Sequence, residues 1–169
     1  LISQMVGRVE HRQNQIAAVQ ALFCQLDTGS FYDIIAWGST IILGTWWHYW
    51  FYGDPSILAE NYGAGKRYFA HLLTMVTPEG FICHGLGDWG NPEGALLREN
   101  IETVFLYADA VRLAWMADVL QEAEDAAYYR AEAGKIRDNY NEQLLRQNPA
   151  TGRWYYRTYE AEQNVEQGG

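Results

Sequence analysis

The residues best suited to chemistry lie in one short segment, the glycine loop at residues 83–92, which reads Cys-His-Gly-Leu-Gly-Asp-Trp-Gly-Asn-Pro. It combines an imidazole at His84, a carboxylate at Asp88 and an indole at Trp89 with three glycines and a proline. Glycines let a backbone approach a ligand closely, and binding groups concentrate on loops held by a rigid scaffold. The segment therefore predicts a binding loop. A structural loop, in which Asp88 caps an amide and Trp89 fills the core, explains the same residues.

Three other carboxylates are candidates for a pocket. Asp33 follows a turn-forming stretch, and Glu99 and Glu102 lie near the start of a predicted helix. A turn aspartate usually hydrogen-bonds to its own backbone, and a carboxylate in a first helical turn is stabilised by the helix dipole. We therefore expect structural roles for all three, with a pocket role as the alternative.

The composition limits the class of partner. The 169 residues are 49% hydrophobic, which is enough for the core of one domain, and include 7 Trp and 12 Tyr. Aromatic side chains at this density fill a large core or line a pocket that stacks on flat apolar faces, such as those of a sugar ring. The net charge of -9 argues against nucleic acid and against an anionic membrane surface. We expect neither of these partners, and neutral or cationic ligands remain open.

Metal binding and membrane insertion are not indicated either. The four histidines and the two cysteines, Cys24 and Cys83, have no metal-ligand or CxxC spacing, so we expect no metal and no cofactor. The longest apolar run, residues 36–51, is interrupted by glycines and a histidine and is shorter than the roughly 20 residues of a membrane span. None of these features indicates a cellular compartment.

Hydrophobic periodicity predicts five helices, a short strand at residues 153–158 and the start of a further helix at Glu160. The second helix is apolar on nearly all sides and the fourth has a wide apolar face, so both should be inner helices, with Trp46, Trp47 and Trp50 in the core. The third and fifth are amphipathic and should be outer helices. The predicted helices span residues 2–26, 37–52, 55–76, 97–120 and 123–145.

The apolar faces of the last two helices follow from the same periodicity. The fourth should bury Ile101, Val104, Phe105, Ala108, Val111, Trp115 and Val119. The fifth should bury Ala127, Ala131, Ile136, Tyr140 and Leu144.

The order of inner and outer helices predicts helical hairpins arranged in a ring. The boundary between the second and third helices is well marked, because Gly53 follows one helix, Asp54 is a favoured N-cap and Pro55 a favoured first residue. Residues 31–37 and 84–91 each precede an inner helix. We therefore expect both segments to face the same central cavity.

The chain contains, in this order, Ala36-Trp37-Gly38 and residues 52–58, 85–89, 103–117 and 128–141. Together these motifs resemble the bacterial α-L-rhamnosidases of glycoside hydrolase family 78, over about residues 9–145. The resemblance implies an all-α fold of helical hairpins that form part, about half, of an (α/α)6 toroid. Residues 1–169 would then be a single domain, a fragment of a larger catalytic toroid. The resemblance also implies that the enzyme hydrolyses terminal α-L-rhamnosyl residues of plant glycosides and polysaccharides with inversion.

The resemblance also implies roles for individual residues. Trp37 and Trp89 would wall the sugar pocket, Asp88 would accept hydrogen bonds from sugar hydroxyls or hold the loop, and His84 is a further candidate. The general acid and base would lie outside this chain, so the isolated fragment should be inactive and should need the rest of its parent chain as a partner. Ser39 stands where the family often has an aspartate, which removes an ionic contact expected there.

Two other interpretations remain open. Residues 114–134 have the paired helices and the Ala-Tyr-Tyr-Arg-Ala-Glu-Ala run of a tetratricopeptide-type scaffold, a non-enzymatic alternative. That scaffold requires a second copy about 34 residues away, and we find none. A different toroid enzyme, such as a glucosidase, lyase or epimerase, would have the same layering, because fold does not fix chemistry.

Overall fold

A computed structural model of the chain describes residues 34–88 and 98–157. The predicted first helix, Asp33, Trp89 and the helix expected from Glu160 lie outside these ranges. Within them, five helices precede one antiparallel β-hairpin. The elements are α1 (Ile35–Gly38), α2 (Thr40–Tyr52), α3 (Ser56–Leu73), α4 (Arg98–Leu120), α5 (Ala123–Leu144), β1 (Leu145–Gln147) and β2 (Trp154–Tyr156).

The boundary between α2 and α3 follows the predicted pattern. Gly53 ends α2 in the left-handed conformation at φ 70°, and its N–H donates to the Tyr49 carbonyl at 2.7 Å. Asp54 accepts a hydrogen bond from the Ser56 N–H at 2.9 Å, which satisfies a free amide of the first turn. The helix begins at Ser56, one residue later than expected, directly after Pro55.

The predicted burial of α2 is only partly right. Trp46 is in the core at 7% exposure, but Trp47 and Trp50 are 55% and 69% exposed. The reason is that the described chain covers α2 on one side only, where it packs against α3 and α4. The other side is an exposed surface that we call the aromatic face of α2, formed by Trp47, Trp50, Phe51 and Tyr52.

The outer helices show the expected two-sided character. α3 exposes Glu60 and Arg67 and buries one stripe. In α5 the predicted face is right near its end, but in its first half Ala127 and Ala131 are exposed and Tyr129 is buried instead. The Tyr129 ring packs edge-on against Phe69 of α3, with centroids 5.5 Å apart, so this side of α5 faces the core. The buried stripe of α3 is Ile57, Leu58, Asn61, Tyr62, Gly65, Phe69 and Leu72.

Helix α4 is the central element, because it packs against α2, α3 and α5. Its bounds are predicted to within one residue, but its predicted face is wrong. None of the seven residues expected there is buried, and Val104 and Trp115 are 47% and 39% exposed. A helix that is apolar on many sides does not define from its own sequence which side its neighbours cover. The buried side also includes three carboxylates, Glu99, Glu102 and Asp109.

The β-hairpin packs beside the start of α4. β1 pairs antiparallel with β2, so the strand predicted near residues 153–158 is confirmed as one half of a hairpin. The ring of Tyr156 packs against Tyr140, and the Tyr140 hydroxyl donates to the Asn100 carbonyl at 3.2 Å. The Asn100 side chain in turn donates to the Arg157 carbonyl at 3.0 Å. These contacts fix the first turn of α4, which is the part that reaches the glycine loop.

In the two described ranges, no helix combines the length and apolarity that a bilayer crossing requires.

Candidate functional site

Two consecutive residues of α4 hold the described part of the glycine loop. The loop leaves an antiparallel bridge between Val76 and Ile82. The Ile82 N–H donates to Oγ1 of Thr103 at 3.0 Å, and five residues later the Gly87 N–H donates to Oε1 of Glu102 at 3.0 Å. The first turns of α4 therefore anchor both ends of this segment.

Gly85 is required by a close approach to Glu102. Its φ is +105°, a backbone conformation that side chains disfavour, and an added Cβ would lie 2.4 Å from Oε1 of Glu102. The loop wraps around the carboxylate at a distance that only glycine permits. The prediction that glycines allow a close approach is thus right at Gly85, but the group approached is a carboxylate of the protein itself.

Glu102 also contacts α1. Its side chain is buried, at 1% exposure, and the backbone amides of Ala36 and Leu86 interact with its carboxylate in addition to the Gly87 hydrogen bond. Burial raises the pKa of Glu102, while these amides and the nearby charge of His84 oppose the rise. One carboxylate thus lies between α1 and the glycine loop, and the two segments expected to share a cavity meet there.

The candidate sugar-binding side chains lie beside this junction. Trp37 follows Ala36 in α1 and is 66% exposed. Asp88 follows Gly87 and is exposed, whereas His84 is half-buried. The structure thus brings the segments with Trp37, His84 and Asp88 together, while Trp89 stays a prediction because it lies outside the described residues.

A second buried carboxylate fixes the other side of α1. Ser39, between α1 and α2, is fully buried and donates its hydroxyl to Oδ2 of Asp109 at 2.7 Å. Asp109 is also fully buried, and desolvation raises its pKa well above the usual range, opposed by the Ser39 hydrogen bond and by the charge of Arg112. Seven residues separate Glu102 from Asp109, so both lie on the same side of α4. At the Ser39 position the polar contact is therefore a hydroxyl–carboxyl pair.

Glu102 has more than the local role expected from the sequence. We expected a carboxylate stabilised by the helix dipole, but it contacts both α1 and the glycine loop. The signal that was available is its spacing: Glu102, Leu106 and Asp109 fall on one helical stripe, and a charged residue on a buried stripe needs specific partners. Glu99 is also buried, at 7% exposure, and its Oε2 has no hydrogen-bond partner within the described ranges.

None of the described side chains forms a cluster of three or more His, Cys, Asp and Glu residues that could hold a metal ion. Among the candidates, the described residues offer an exposed indole at Trp37, an exposed carboxylate at Asp88 and a half-buried imidazole at His84.

The family comparison decides what kind of domain holds this surface. The family model described as the bacterial alpha-L-rhamnosidase 6 hairpin glycosidase domain matches residues 2–166. The chain belongs to this family. The match covers nearly the whole sequence, so it includes both segments that meet at Glu102. It agrees with the resemblance to glycoside hydrolase family 78 and does not favour the helical-repeat scaffold.

Individual relatives agree with the family. Two proteins named alpha-L-rhamnosidase from Formosa agariphila are similar: one is 34% identical over 104 residues, covering 56% of this chain and 11% of the relative. The other is 29% identical over 137 residues, covering 75% of this chain and 14% of the relative. The chain therefore spans well under a fifth of the length of these proteins.

A solved structure agrees as well. The alpha-L-rhamnosidase from Dictyoglumus thermophilum superposes with a TM-score of 0.66 at 26% identity, over 79% of this chain and 15% of that chain. With the helical content of the described residues, this confirms the prediction of an all-α fold whose hairpins form part of an (α/α)6 toroid. The chain is a fragment of a rhamnosidase-type catalytic domain.

Proposed function

We propose that the protein containing this chain hydrolyses terminal α-L-rhamnosyl residues with inversion, and that the chain supplies part of the sugar pocket. The observation that supports this most is the meeting of α1 and the glycine loop at Glu102. Family membership gives the reaction class, and the junction gives a place where side chains from two segments can contact one sugar.

The proposed roles follow from the chemistry of rhamnose. Its methyl group and the apolar face of its ring suit an indole, and Trp37 is exposed enough to cover them. Asp88 is exposed and can accept hydrogen bonds from sugar hydroxyls, and His84 can donate or accept one. Trp89 follows Asp88 directly, and we propose it as the second aromatic wall.

The acid and base of the reaction belong elsewhere in the parent protein. Inversion needs a protonated carboxyl group and a carboxylate roughly 6.5–9.5 Å apart, with room for a water molecule. Glu102 is buried and accepts the Gly87 N–H, and Asp109 is buried and accepts the Ser39 hydroxyl. Neither can activate a water molecule beside a sugar, so we place the catalytic pair outside this chain.

The rest of the parent chain is the proposed structural partner. The aromatic face of α2 leaves Trp50 69% and Phe51 77% exposed, although α2 is otherwise an inner helix. Large exposed apolar patches on a folded domain indicate contact with another surface. Because the chain spans only 11–15% of its relatives, we propose that other hairpins of the same toroid cover this face.

A panel of aryl glycosides tests the proposed reaction with the full-length protein. We expect hydrolysis of an aryl α-L-rhamnoside, with β-L-rhamnose as the first product seen by NMR, and no turnover by the isolated 169 residues. Hydrolysis of a glucoside in preference to the rhamnoside would support another toroid glycosidase. Turnover by the isolated chain would show that the acid and base lie within it.

A further inference from the structure

We propose that Glu102 is a positioning residue that fixes the glycine loop against α1 and thereby sets the spacing of the sugar-binding groups on these two segments. The inference rests on the proposed function, because it assigns Trp37 to one side of the sugar and Asp88 to the other. Glu102 itself does not contact the sugar in this proposal. It acts only through the backbone of the two segments.

The contacts of Glu102 support this role. Its Oε1 accepts the Gly87 N–H at 3.0 Å, and the Ala36 amide interacts with the same carboxylate. Gly87 directly precedes Asp88, and Ala36 directly precedes Trp37. Each contact thus lies one residue from a proposed sugar-binding side chain, so a shift of the carboxylate would move both.

The burial of Glu102 argues against a role in stability alone. Taking a carboxylate out of water is costly, and an apolar or neutral side chain at a buried position is often equally or more stabilising. Thr103 anchors the start of the loop through the Ile82 N–H, and Glu102 holds its Gly87 end while also contacting α1. Glu102 thus adds a link between the loop and α1.

The surrounding backbone is fitted to the carboxylate. Gly85 passes so close that any Cβ would overlap Oε1, and Oε2 has no hydrogen-bond partner among the described residues. The backbone of Gly85 therefore packs directly against the carboxylate of Glu102. A side chain shorter by one methylene would withdraw the carboxylate from the Gly87 N–H.

Substitutions in the full-length protein test the proposal through KM and kcat for an aryl α-L-rhamnoside. Glu102→Gln keeps an oxygen acceptor for Gly87, so KM should stay within about twofold of the wild type. Glu102→Ala and Glu102→Asp should each raise KM about tenfold or more, because the sugar-binding groups lose their spacing, while kcat falls by a smaller factor. If the alanine variant does not fold, the comparison of Asp with Gln still decides.

Asp118→Asn is the matched control. Asp118 is a partly exposed carboxylate on the same helix, paired with Arg130, and its loss should leave KM and kcat unchanged. Equal KM values for the wild type, Ala and Asp variants would overturn the proposal, because a residue that only stabilises the fold changes the melting temperature and not KM.

Hydrogen exchange separates failure of this inference from failure of the proposed function. In Glu102→Ala, amide exchange should rise in peptides from both residues 34–38 and residues 83–88, compared with the wild type and Asp118→Asn. Faster exchange in both peptides would support the link between the loop and α1, whatever the activity of the wild type. A wild type that does not hydrolyse rhamnosides would refute only the proposed function. Faster exchange in the loop peptide only, with rhamnosidase activity intact, would overturn the link.

Discussion

The Ser39 hydroxyl donates to Oδ2 of Asp109 at 2.7 Å, and both residues are fully buried. This contact joins the turn between α1 and α2 to the middle of α4. Two helical turns away, Glu102 joins the residue before Trp37 to the glycine loop. The position of Trp37 thus depends on two carboxylates from the same side of one helix, and each has a raised pKa because burial disfavours its charged form.

Asp109 should make stability fall as pH rises. Its native pKa is well above its unfolded value of about 4, so the native state binds the proton more tightly. Between these two values the free energy of unfolding falls by about 1.4 kcal/mol for each pH unit. Asp109→Asn removes this dependence. In urea unfolding of the full-length protein, the free energy of unfolding of the variant should therefore rise relative to that of the wild type from about pH 5 to about pH 8. If the difference in free energy of unfolding between the two proteins stayed constant over this pH range, the raised pKa of Asp109 would be contradicted.

Trp37 and Trp46 should respond differently to truncation. Trp37→Ala should raise KM for an aryl rhamnoside about tenfold and change stability by less than about 0.5 kcal/mol, because the indole is 66% exposed. Trp46→Ala should lower the free energy of unfolding by about 3–5 kcal/mol, since this indole is 7% exposed and packs against Trp115. Kinetics and thermal unfolding of both variants measure this. A Trp37 variant with wild-type KM would remove Trp37 from the pocket.

Much of the architecture follows from the sequence. Helix bounds are recovered where chemistry marks them, as at Gly53 and Asp54, whose cap and turn contacts are local. The side of each helix that is buried is predicted less well. Trp47, Val104 and Trp115 are apolar yet exposed, because the cover of a helix in a multi-helix domain depends on neighbours that its own periodicity does not encode.

The candidate site is also predictable only in part. The glycines and polar residues of the loop mark it as unusual, and the topology indicates that it meets the segment before α2. The residue that joins them, Glu102, was expected to have only a local role. The spacing of Glu102 with Leu106 and Asp109 indicates that Glu102 is buried, but it does not identify the partner. The hydrogen bond from the Gly87 N–H is long-range and depends on the packing of α4.

Gly85 and Gly134 provide a matched pair of glycine substitutions. Gly85→Ala should destabilise the protein by about 1–3 kcal/mol and lower kcat/KM, because φ is +105° and the added Cβ overlaps Glu102. Gly134→Ala should stabilise it by about 0.5–1 kcal/mol, since Gly134 lies inside α5 with open space around it. Thermal unfolding and kinetics test both. A stable, fully active Gly85→Ala protein would refute the close approach.

The aromatic face of α2 should affect the fragment and the whole protein in opposite directions. A Trp47→Gln, Trp50→Gln double variant should increase the solubility of the isolated chain, where both indoles are exposed. In the full-length protein the same change should lower the melting temperature, because these side chains would contact other hairpins. Sedimentation of the fragment and calorimetry of the full-length protein test this. An unchanged melting temperature would mean that the face is also exposed in the whole protein.

A crystal structure of the full-length protein with L-rhamnose bound tests the proposed sugar pocket most directly. We predict that the Trp37 indole lies within about 4.5 Å of the sugar ring or its methyl group, while Asp88 hydrogen-bonds to a hydroxyl and Glu102 stays behind the loop. A sugar bound away from both Trp37 and Asp88 would contradict the account, and so would Glu102 in direct contact with the sugar.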